Sequence, residues 1–374
     1  MSAGRGENTD KPITERRITM SQLERIQNAI ERAGLAALLL MDDRNIYYAT
    51  GFMPTDSAAL ITPGRAWLVT DSRYIEDAQR KCVKGVEVLL ASVKSPLGAT
   101  LKALSADIRG EIGAEEDKLT YGLYTQMESL LGRSFAAAGE LVQSLRAHKS
   151  ADELDRLIAA QRIAEKALEE TLPLIKPGLA ERELAAELTY RMMRHGSERN
   201  SFDPIAITGA HTSMPHGVPG QALIQSGDFV TMDFGCVHEG YCSDMTRTVA
   251  VGSATDEMKN VYDTVLRAQL AGIAAAKPSA TGAEVHGAAA KVIADAGYGE
   301  YFGHGFGHGV GLDIHESPNA SPRNASPLGE GAVISAEPGI YIPGKFGVRI
   351  EDVLYLTGDG NVNITRAPKE LIIL

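Results

Sequence analysis

The stretch that decides the fold begins with Thr231-Met232-Asp233-Phe234-Gly235 and continues, after a short glycine-containing turn, with Tyr241-Cys242-Ser243-Asp244-Met245-Thr246-Arg247-Thr248. Two strand-like runs joined by such a turn predict a β-hairpin with one aspartate on each strand. Along the second strand Asp244, Thr246 and Thr248 share a face, because side chains alternate between the two faces of a strand.

A second pair of strand-like runs, residues 332–337 and 347–356, carries one glutamate on each strand, Glu337 and Glu351. A single strand-borne carboxylate is more often a turn residue or one half of an ion pair. Four carboxylates embedded in apolar strands are costly, however, unless they are paired or bind metal. Two divalent cations balance their four negative charges. With His308 from the glycine-rich segment between the hairpins, the sequence predicts one site for two divalent ions.

These segments resemble the creatinase, prolidase and aminopeptidase P group, the "pita-bread" metallopeptidases that also include methionine aminopeptidase. The matching segments are Asp233-Phe234-Gly235, Ser243-Asp244-Met245-Thr246-Arg247-Thr248, His304-Gly305-Phe306-Gly307-His308-Gly309-Val310-Gly311-Leu312, Glu337-Pro338-Gly339-Ile340-Tyr341 and Val348-Arg349-Ile350-Glu351-Asp352. Each motif is short, but their order and spacing together are specific. The resemblance covers nearly the whole chain from about Met20 onward.

The resemblance implies an α+β fold, with a C-terminal pita-bread domain preceded by a smaller N-terminal creatinase-like α/β domain. Strands that alternate with helices in the first half favour an α/β domain independently of it. We expect a disordered tail at residues 1–18, the N-terminal domain at 19–147 and the catalytic domain at 148–374. In the second half, two helices followed by a β-hairpin occur twice, which indicates a duplicated architecture.

The N-terminal half carries no carboxylate cluster and by itself suggests no chemistry. In members of the group that the chain resembles, this domain contacts a partner subunit and shapes the entrance to the site. We therefore expect a homodimer or a larger homo-oligomer.

Composition excludes several other classes of protein. The 374 residues carry a net charge of −11 with no basic block, so nucleic acid is not an expected partner. No run approaches the ~20 apolar residues of a membrane span, and no signal peptide is visible. The three cysteines provide no disulfide framework and fit a reducing compartment. We expect a cytoplasmic protein without a membrane partner.

The resemblance also implies which residues hold the metal ions. One ion is expected on Asp233, Asp244 and Glu351, and the other on Asp244, His308, Glu337 and Glu351. Mostly oxygen ligands with one imidazole favour Mn²⁺, with Co²⁺, Fe²⁺ or Zn²⁺ as alternatives. Two such ions lower the pKa of a bridging water, so that hydroxide can attack a peptide carbonyl.

Four catalytic positions, His315, Glu337, His216 and His304, follow from the same resemblance. It implies that His315 polarises the carbonyl, that Glu337 moves a proton to the departing nitrogen and that His216 orients the substrate. Odd spacing from His308 would place His315 on the opposite face of a strand, so a bend must intervene. Taken alone, each histidine is more often a structural residue.

We expect a metal-dependent Xaa-Pro aminopeptidase that removes an N-terminal residue preceding proline in peptides. Two alternatives remain open, an Xaa-Pro dipeptidase (prolidase) and a non-catalytic pita-bread domain that only binds peptides. A dipeptidase must bind the free carboxylate after proline, for which arginine is well suited. Many prolidases have that arginine four residues after the catalytic histidine, where this chain has Asn319. The substitution favours the aminopeptidase, although Arg323 could replace the missing charge.

Overall fold

The computed structural model describes residues 20–374, so the tail predicted at 1–18 lies outside the described residues. The first part of the chain is built on a six-stranded sheet with the strand order β4-β3-β2-β1-β5-β6. Its strands are β1 Ala37–Leu40, β2 Ala58–Ile61, β3 Ala66–Thr70, β4 Val86–Leu90, β5 Ile112–Ala114 and β6 Phe135–Ala137. Its helices are α1 Gln22–Arg32, α2 Asp43–Thr50, α3 Ile75–Lys81, α4 Leu97–Ser105, α5 Tyr121–Leu131 and α6 Gly139–Arg146.

Local signals explain how this part begins. Ser21 and Glu24 form a capping box that satisfies free N–H groups at the start of α1. The strand β1 is fully buried and pairs antiparallel with β2 but parallel with β5. Covered on both faces, β1 is an uninterrupted apolar run, as buried strands with parallel neighbours usually are.

The second part of the chain contains four long helices and four small sheets. The helices are α7 Ala151–Thr171, α8 Glu181–Arg194, α9 Asp256–Ala275 and α10 Gly282–Asp295. The strands are β7 Arg199–Asn200, β8 Ile205–Thr208, β9 Phe229–Phe234, β10 Cys236–His238, β11 Tyr241–Cys242, β12 Met245–Ala250, β13 Gly307–Gly309, β14 Glu316–Ala320, β15 Val333–Ala336, β16 Gly339–Ile342, β17 Phe346–Arg349, β18 Asp352–Thr357 and β19 Gly360–Asn363.

The duplicated architecture predicted from the sequence is visible in this part. The helices α7 and α8 precede the sheet β12-β9-β8, and the helices α9 and α10 precede the sheet β14-β13-β15-β18-β19. The first predicted hairpin is present, since β9 pairs with β12 over six residues and Asp233 lies opposite Thr246.

The second hairpin differs from the simple pair that the sequence predicts. Its strands are interrupted at Glu337 and Glu351, so that β15 pairs with β18 while β16 pairs with β17. Pro338 has no N–H to donate, which breaks the ladder after Glu337. The N–H groups of Glu337 and Glu351 bond instead to the carbonyls of Phe306, just before β13, and Thr246 in β12. Both glutamates therefore lie where strands change partners.

The two parts share buried surface. One apolar cluster combines Leu23, Ile26 and Leu38 of the first part with Val310 and Val353 of the second. Among residues 20–374, no helix combines the length and the apolar character that a membrane span requires. The three cysteines are unpaired thiols.

Candidate metal centre

The two hairpins bring all five predicted metal ligands to one cavity of about 1140 Å³. Asp233 belongs to β9, and His308 belongs to β13. The other three ligands lie at breaks between strands, and these are Asp244, Glu337 and Glu351. Strand ends from both halves of the duplicated fold therefore meet at this site.

The distances fit a shared metal centre. Nε2 of His308 lies 3.2 Å from Oε1 of Glu337 and 3.5 Å from Oδ2 of Asp244. Ligand atoms of Asp244, His308 and Glu351 all lie within 4.8 Å of one another. These are three of the four ligands that the sequence predicts for one of the two ions. The fourth ligand, Glu337, contacts the imidazole of His308.

Hydroxyl groups orient the glutamates. The Thr246 hydroxyl donates to Oε2 of Glu351 at 2.7 Å, and the Ser335 hydroxyl donates to Oε1 of Glu337 at 3.1 Å. Ser335 also accepts a hydrogen bond from the backbone N–H of His308. Such partners behind the ligands fix the direction in which each carboxylate points.

Arg349 neutralises part of the negative charge. Its Nη2 donates to Oδ2 of Asp233 at 2.5 Å, and its Nη1 donates to the Tyr341 hydroxyl at 2.8 Å. The guanidinium is almost fully buried, with its side chain 4% exposed. Arg349 thus holds one oxygen of Asp233 and leaves the other free.

The free oxygens identify the place for cations. Oδ1 of Asp233, Oδ1 of Asp244 and Oε1 of Glu351 are buried and have no hydrogen-bond partner in the described chain. Burial and the neighbouring carboxylates raise the pKa of all three groups above their ordinary values. Unpaired buried carboxylate oxygens are costly unless a cation approaches them. The residues present therefore fit two divalent ions.

The neighbouring carboxylates also shift the pKa of His308. Burial alone would lower the pKa of His308, but the hydrogen bond and charge of Glu337 raise it to about 9. Burial would raise the pKa of Glu337, but His308 lowers it to about 2. Both shifts favour a protonated imidazole beside a carboxylate, and a divalent ion held by these two residues would replace that proton.

The three predicted catalytic histidines line the same cavity as the metal ligands. The His315 ring lies 4.0 Å from the His308 ring, measured between centroids. The predicted bend is present, because residues 311–315 leave the strand direction between β13 and β14. Nε2 of His304 lies 3.1 Å from the Tyr341 hydroxyl. Burial lowers the pKa of both His304 and His315, which favours neutral imidazoles.

One supporting contact was not assigned from the sequence. His211 pairs through Nδ1 with Oε1 of Glu181 at 2.8 Å, and Glu181 also accepts N–H bonds from Thr208 and Gly220. These bonds hold the loop that carries His216. The partners of Glu181 lie far from it in the sequence and form no local pattern. These contacts are therefore visible only in the structure.

The remaining walls of the cavity are mostly apolar. They include Phe202, Ile205, Val218, Ile314, Tyr301 and Pro343. A smaller adjoining groove of about 430 Å³ shares His304 and Ser321 with the cavity and has Arg323 among its lining residues. The site therefore combines a metal centre, room for a proline ring and a neighbouring groove that contains a cation.

Comparison with known proteins identifies the family. The profile of metallopeptidase family M24 matches residues 155–358, and that of the creatinase/prolidase N-terminal domain matches residues 22–148. An Xaa-Pro dipeptidase from Bacillus anthracis is 40% identical with a TM-score of 0.90, covering 94% of this chain and 99% of its own. An X-Pro aminopeptidase from Thermotoga maritima is 35% identical with a TM-score of 0.88, covering 93% and 100%. An Xaa-Pro dipeptidase from Pyrococcus horikoshii is 34% identical over 95% of this chain and 99% of its own.

These matches confirm the resemblance stated from the sequence, and they confirm the fold class. Several of the similar proteins are Xaa-Pro dipeptidases or prolidases, so the comparisons favour the dipeptidase alternative over the aminopeptidase that we expected from the sequence.

Proposed function

The chain belongs to metallopeptidase family M24, and from that premise we propose that it is a metal-dependent Xaa-Pro dipeptidase. The observation that carries the proposal is the combination of free carboxylate oxygens in the cavity and an arginine, Arg323, in the groove that adjoins it. The carboxylates fit the metal ions that hydrolysis needs. The cation fits the terminal carboxylate that distinguishes a dipeptide from a longer peptide.

Arg323 is the residue that we assign to this carboxylate. Of the arginines that line the cavity and its adjoining groove, Arg349 is already paired with Asp233. Within residues 20–374, no carboxylate lies within ion-pair distance of Arg323. A guanidinium can bind a carboxylate through two parallel hydrogen bonds. Arg323 thus supplies the charge that Asn319 lacks.

The reaction is the hydrolysis of the bond between the first residue and proline. Two divalent ions on the five ligands would activate water and polarise the scissile carbonyl. Neutral His315 donates a hydrogen bond to the carbonyl oxygen as negative charge develops there. Glu337, which contacts His308, takes the proton from water and passes it to the departing nitrogen.

Any departing amide nitrogen needs this proton, and proline adds constraints of its own. An Xaa-Pro bond has no N–H, and the ring fixes the geometry around the nitrogen. His216 and His304 lie on the cavity wall and orient the two ends of the substrate. An imidazole ring has two nitrogens through which it can form hydrogen bonds with a substrate.

An Xaa-Pro aminopeptidase is the second candidate, and Asn319 is the observation that favours it. An aminopeptidase does not require a cation beyond proline, and Asn319 provides none. The two candidates share every residue of the metal centre. They differ only in what lies past the proline ring.

Two further expectations belong to the proposal. Four carboxylates and one imidazole favour Mn²⁺ as the native ion. The resemblance to the family supports a homodimer or larger homo-oligomer in the cytoplasm.

The proposal is tested by hydrolysis of Ala-Pro by the purified protein before chelation, after exhaustive chelation and after Mn²⁺ is restored. We expect activity to disappear with chelation and to return with two ions per chain. Full activity in the chelated protein would contradict a metal-dependent mechanism.

A further inference from the structure

The loop that carries His315 is held from both sides by carboxylates that point away from the metal centre. Asp313 precedes His315 by two residues and Glu316 follows it directly. Neither carboxylate is among the metal ligands. Both are instead paired with cations, most of them from the N-terminal part of the chain.

Asp313 receives three of these cations. Its Oδ1 lies 2.8 Å from Nε of Arg44, and its Oδ2 lies 2.7 Å from Nη2 of Arg146. Lys118 adds a longer contact of 3.7 Å to the same Oδ2. Burial would raise the pKa of Asp313, but Arg146 and its neighbours lower it, so the group stays charged.

Glu316 is enclosed more tightly. Its Oε2 lies 2.6 Å from Nη2 of Arg146, and its Oε1 lies 2.8 Å from Nζ of Lys149. The Glu316 carboxylate also packs against Gly311, where a Cβ atom would come within 2.2 Å of Oε1. Both ends of the bend at residues 311–316 are thus tied to one carboxylate.

Arg146 joins the two carboxylates and is itself fixed from behind. Its Nη2 donates to both Asp313 and Glu316, while its Nη1 donates to Oδ1 of Asn45 at 2.7 Å. The amide of Asn45 in turn donates to the buried carboxylate of Glu115. The Arg146 side chain is 4% exposed, so it cannot exchange these partners for water.

His315, by contrast, has no such anchor of its own. Within the described chain, no protein group forms a hydrogen bond with its imidazole, and its ring lies edge-on to that of His308. Its position therefore depends on the residues on either side of it.

We propose that Arg146 is a positioning residue that sets the place of His315 in the site from the N-terminal domain. The inference rests on the proposed role of His315 and deepens it. The N-terminal domain, which by its sequence suggested no chemistry, thereby contributes to the rate of the reaction. A group misplaced by about 1 Å can cost up to ~100-fold in rate.

A double-mutant cycle separates positioning from general stabilisation. We expect Arg146→Gln to lower kcat for Ala-Pro by about tenfold or more, with KM and metal content within about twofold of the parent. In a His315→Ala background the same change should lower kcat by less than about twofold, because the group that it positions is already gone. A loss of kcat that is equally large in both backgrounds would contradict the proposal, as would no loss in either.

Arg25→Gln is the matched control. Arg25 also comes from the N-terminal part and bridges to Glu153 on α7, with further bonds to the carbonyls of Leu145 and His148. It does not touch the His315 loop, so its removal should leave kcat within about twofold. If Arg25→Gln lowers kcat as much as Arg146→Gln, the effect reflects domain contact in general and the proposal is wrong.

Arg44→Gln provides the same test at a more exposed position. Arg44 contacts only Asp313 and the carbonyl of Leu312, and its side chain is 41% exposed. If Arg146→Gln does not fold, the cycle of Arg44→Gln with His315→Ala decides. We then expect Arg44→Gln to lower kcat about threefold in the protein that retains His315 and not in His315→Ala.

If His315→Ala alone leaves kcat unchanged, the proposed function of His315 fails first. If His315→Ala lowers kcat while the arginine variants do not, only the positioning inference fails.

Discussion

Oδ2 of Asp244 lies 3.5 Å from Nε2 of His308, although the two residues come from different halves of the duplicated fold. Asp244 belongs to the first hairpin and His308 to the segment before the second. The other carboxylate oxygen of Asp244, Oδ1, is buried without a hydrogen-bond partner in the described chain. Asp244 is therefore placed to share a metal ion with His308.

Asp244→Asn should abolish metal binding at the centre and reduce Ala-Pro hydrolysis to background. The amide preserves the shape of the side chain, so the chain should still fold, but it removes the negative charge that a divalent ion requires. Metal content by mass spectrometry, read beside circular dichroism, measures both effects. Asp263→Asn, on the exposed surface of α9, is the control and should keep both metal and activity. Two ions retained in Asp244→Asn would overturn the assignment.

His315→Ala should lower kcat by ~100-fold or more while the metal content stays normal. The imidazole does not hold an ion in this proposal and acts on the carbonyl as charge develops. Steady-state kinetics with metal analysis of the same sample checks the prediction. Loss of metal in step with activity would instead make His315 a ligand.

Arg323→Gln should raise KM for Ala-Pro by about tenfold or more, since a charge-assisted hydrogen bond contributes about 1.5–3 kcal/mol. The amide Ala-Pro-NH₂ has no carboxylate, so its kinetics should be unchanged by the substitution. Arg109→Gln, at an exposed position of the N-terminal part, is the control. An equal increase in KM for Ala-Pro and for Ala-Pro-NH₂ would show that Arg323 does not bind the terminal carboxylate.

Glu316→Gln should change the dependence of stability on pH. Burial alone would raise the pKa of Glu316, but Lys149 and Arg146 lower it below its ordinary value of 4.5. A carboxylate with a lower pKa in the folded than in the unfolded chain stabilises the fold above the unfolded pKa, and this contribution disappears as pH falls.

The free energy of unfolding of the parent should therefore decline as pH falls below about 4.5, and Glu316→Gln should decline less steeply. At neutral pH the variant should be less stable by roughly 3 kcal/mol, because Arg146 and Lys149 lose their partner. Urea denaturation of both proteins across this pH range gives the comparison. Parallel curves would exclude Glu316 as a charged partner of Arg146.

The sequence predicted that five side chains meet at one site because they lie in short, specific motifs. Asp233, Asp244, His308, Glu337 and Glu351 all line one cavity. The first hairpin followed from period-two alternation and a glycine-containing turn.

Other features could not be predicted because they depend on long-range contacts. Pro338 was visible in the sequence, yet the change of strand partners at Glu337 and Glu351 requires acceptors on Phe306 and Thr246. The ion pairs of Arg146 with Asp313 and Glu316 span two domains and follow no local spacing. The N-terminal half therefore suggested no chemistry until its contacts with the His315 loop were visible.

We propose that this family M24 metallopeptidase acts on dipeptides. The most direct test compares kcat/KM for Ala-Pro and Ala-Pro-Ala with the same Mn²⁺-loaded enzyme. We expect a kcat/KM at least about tenfold higher for Ala-Pro, because only the dipeptide places its carboxylate next to Arg323. Equal or faster cleavage of Ala-Pro-Ala would contradict the dipeptidase and establish the aminopeptidase.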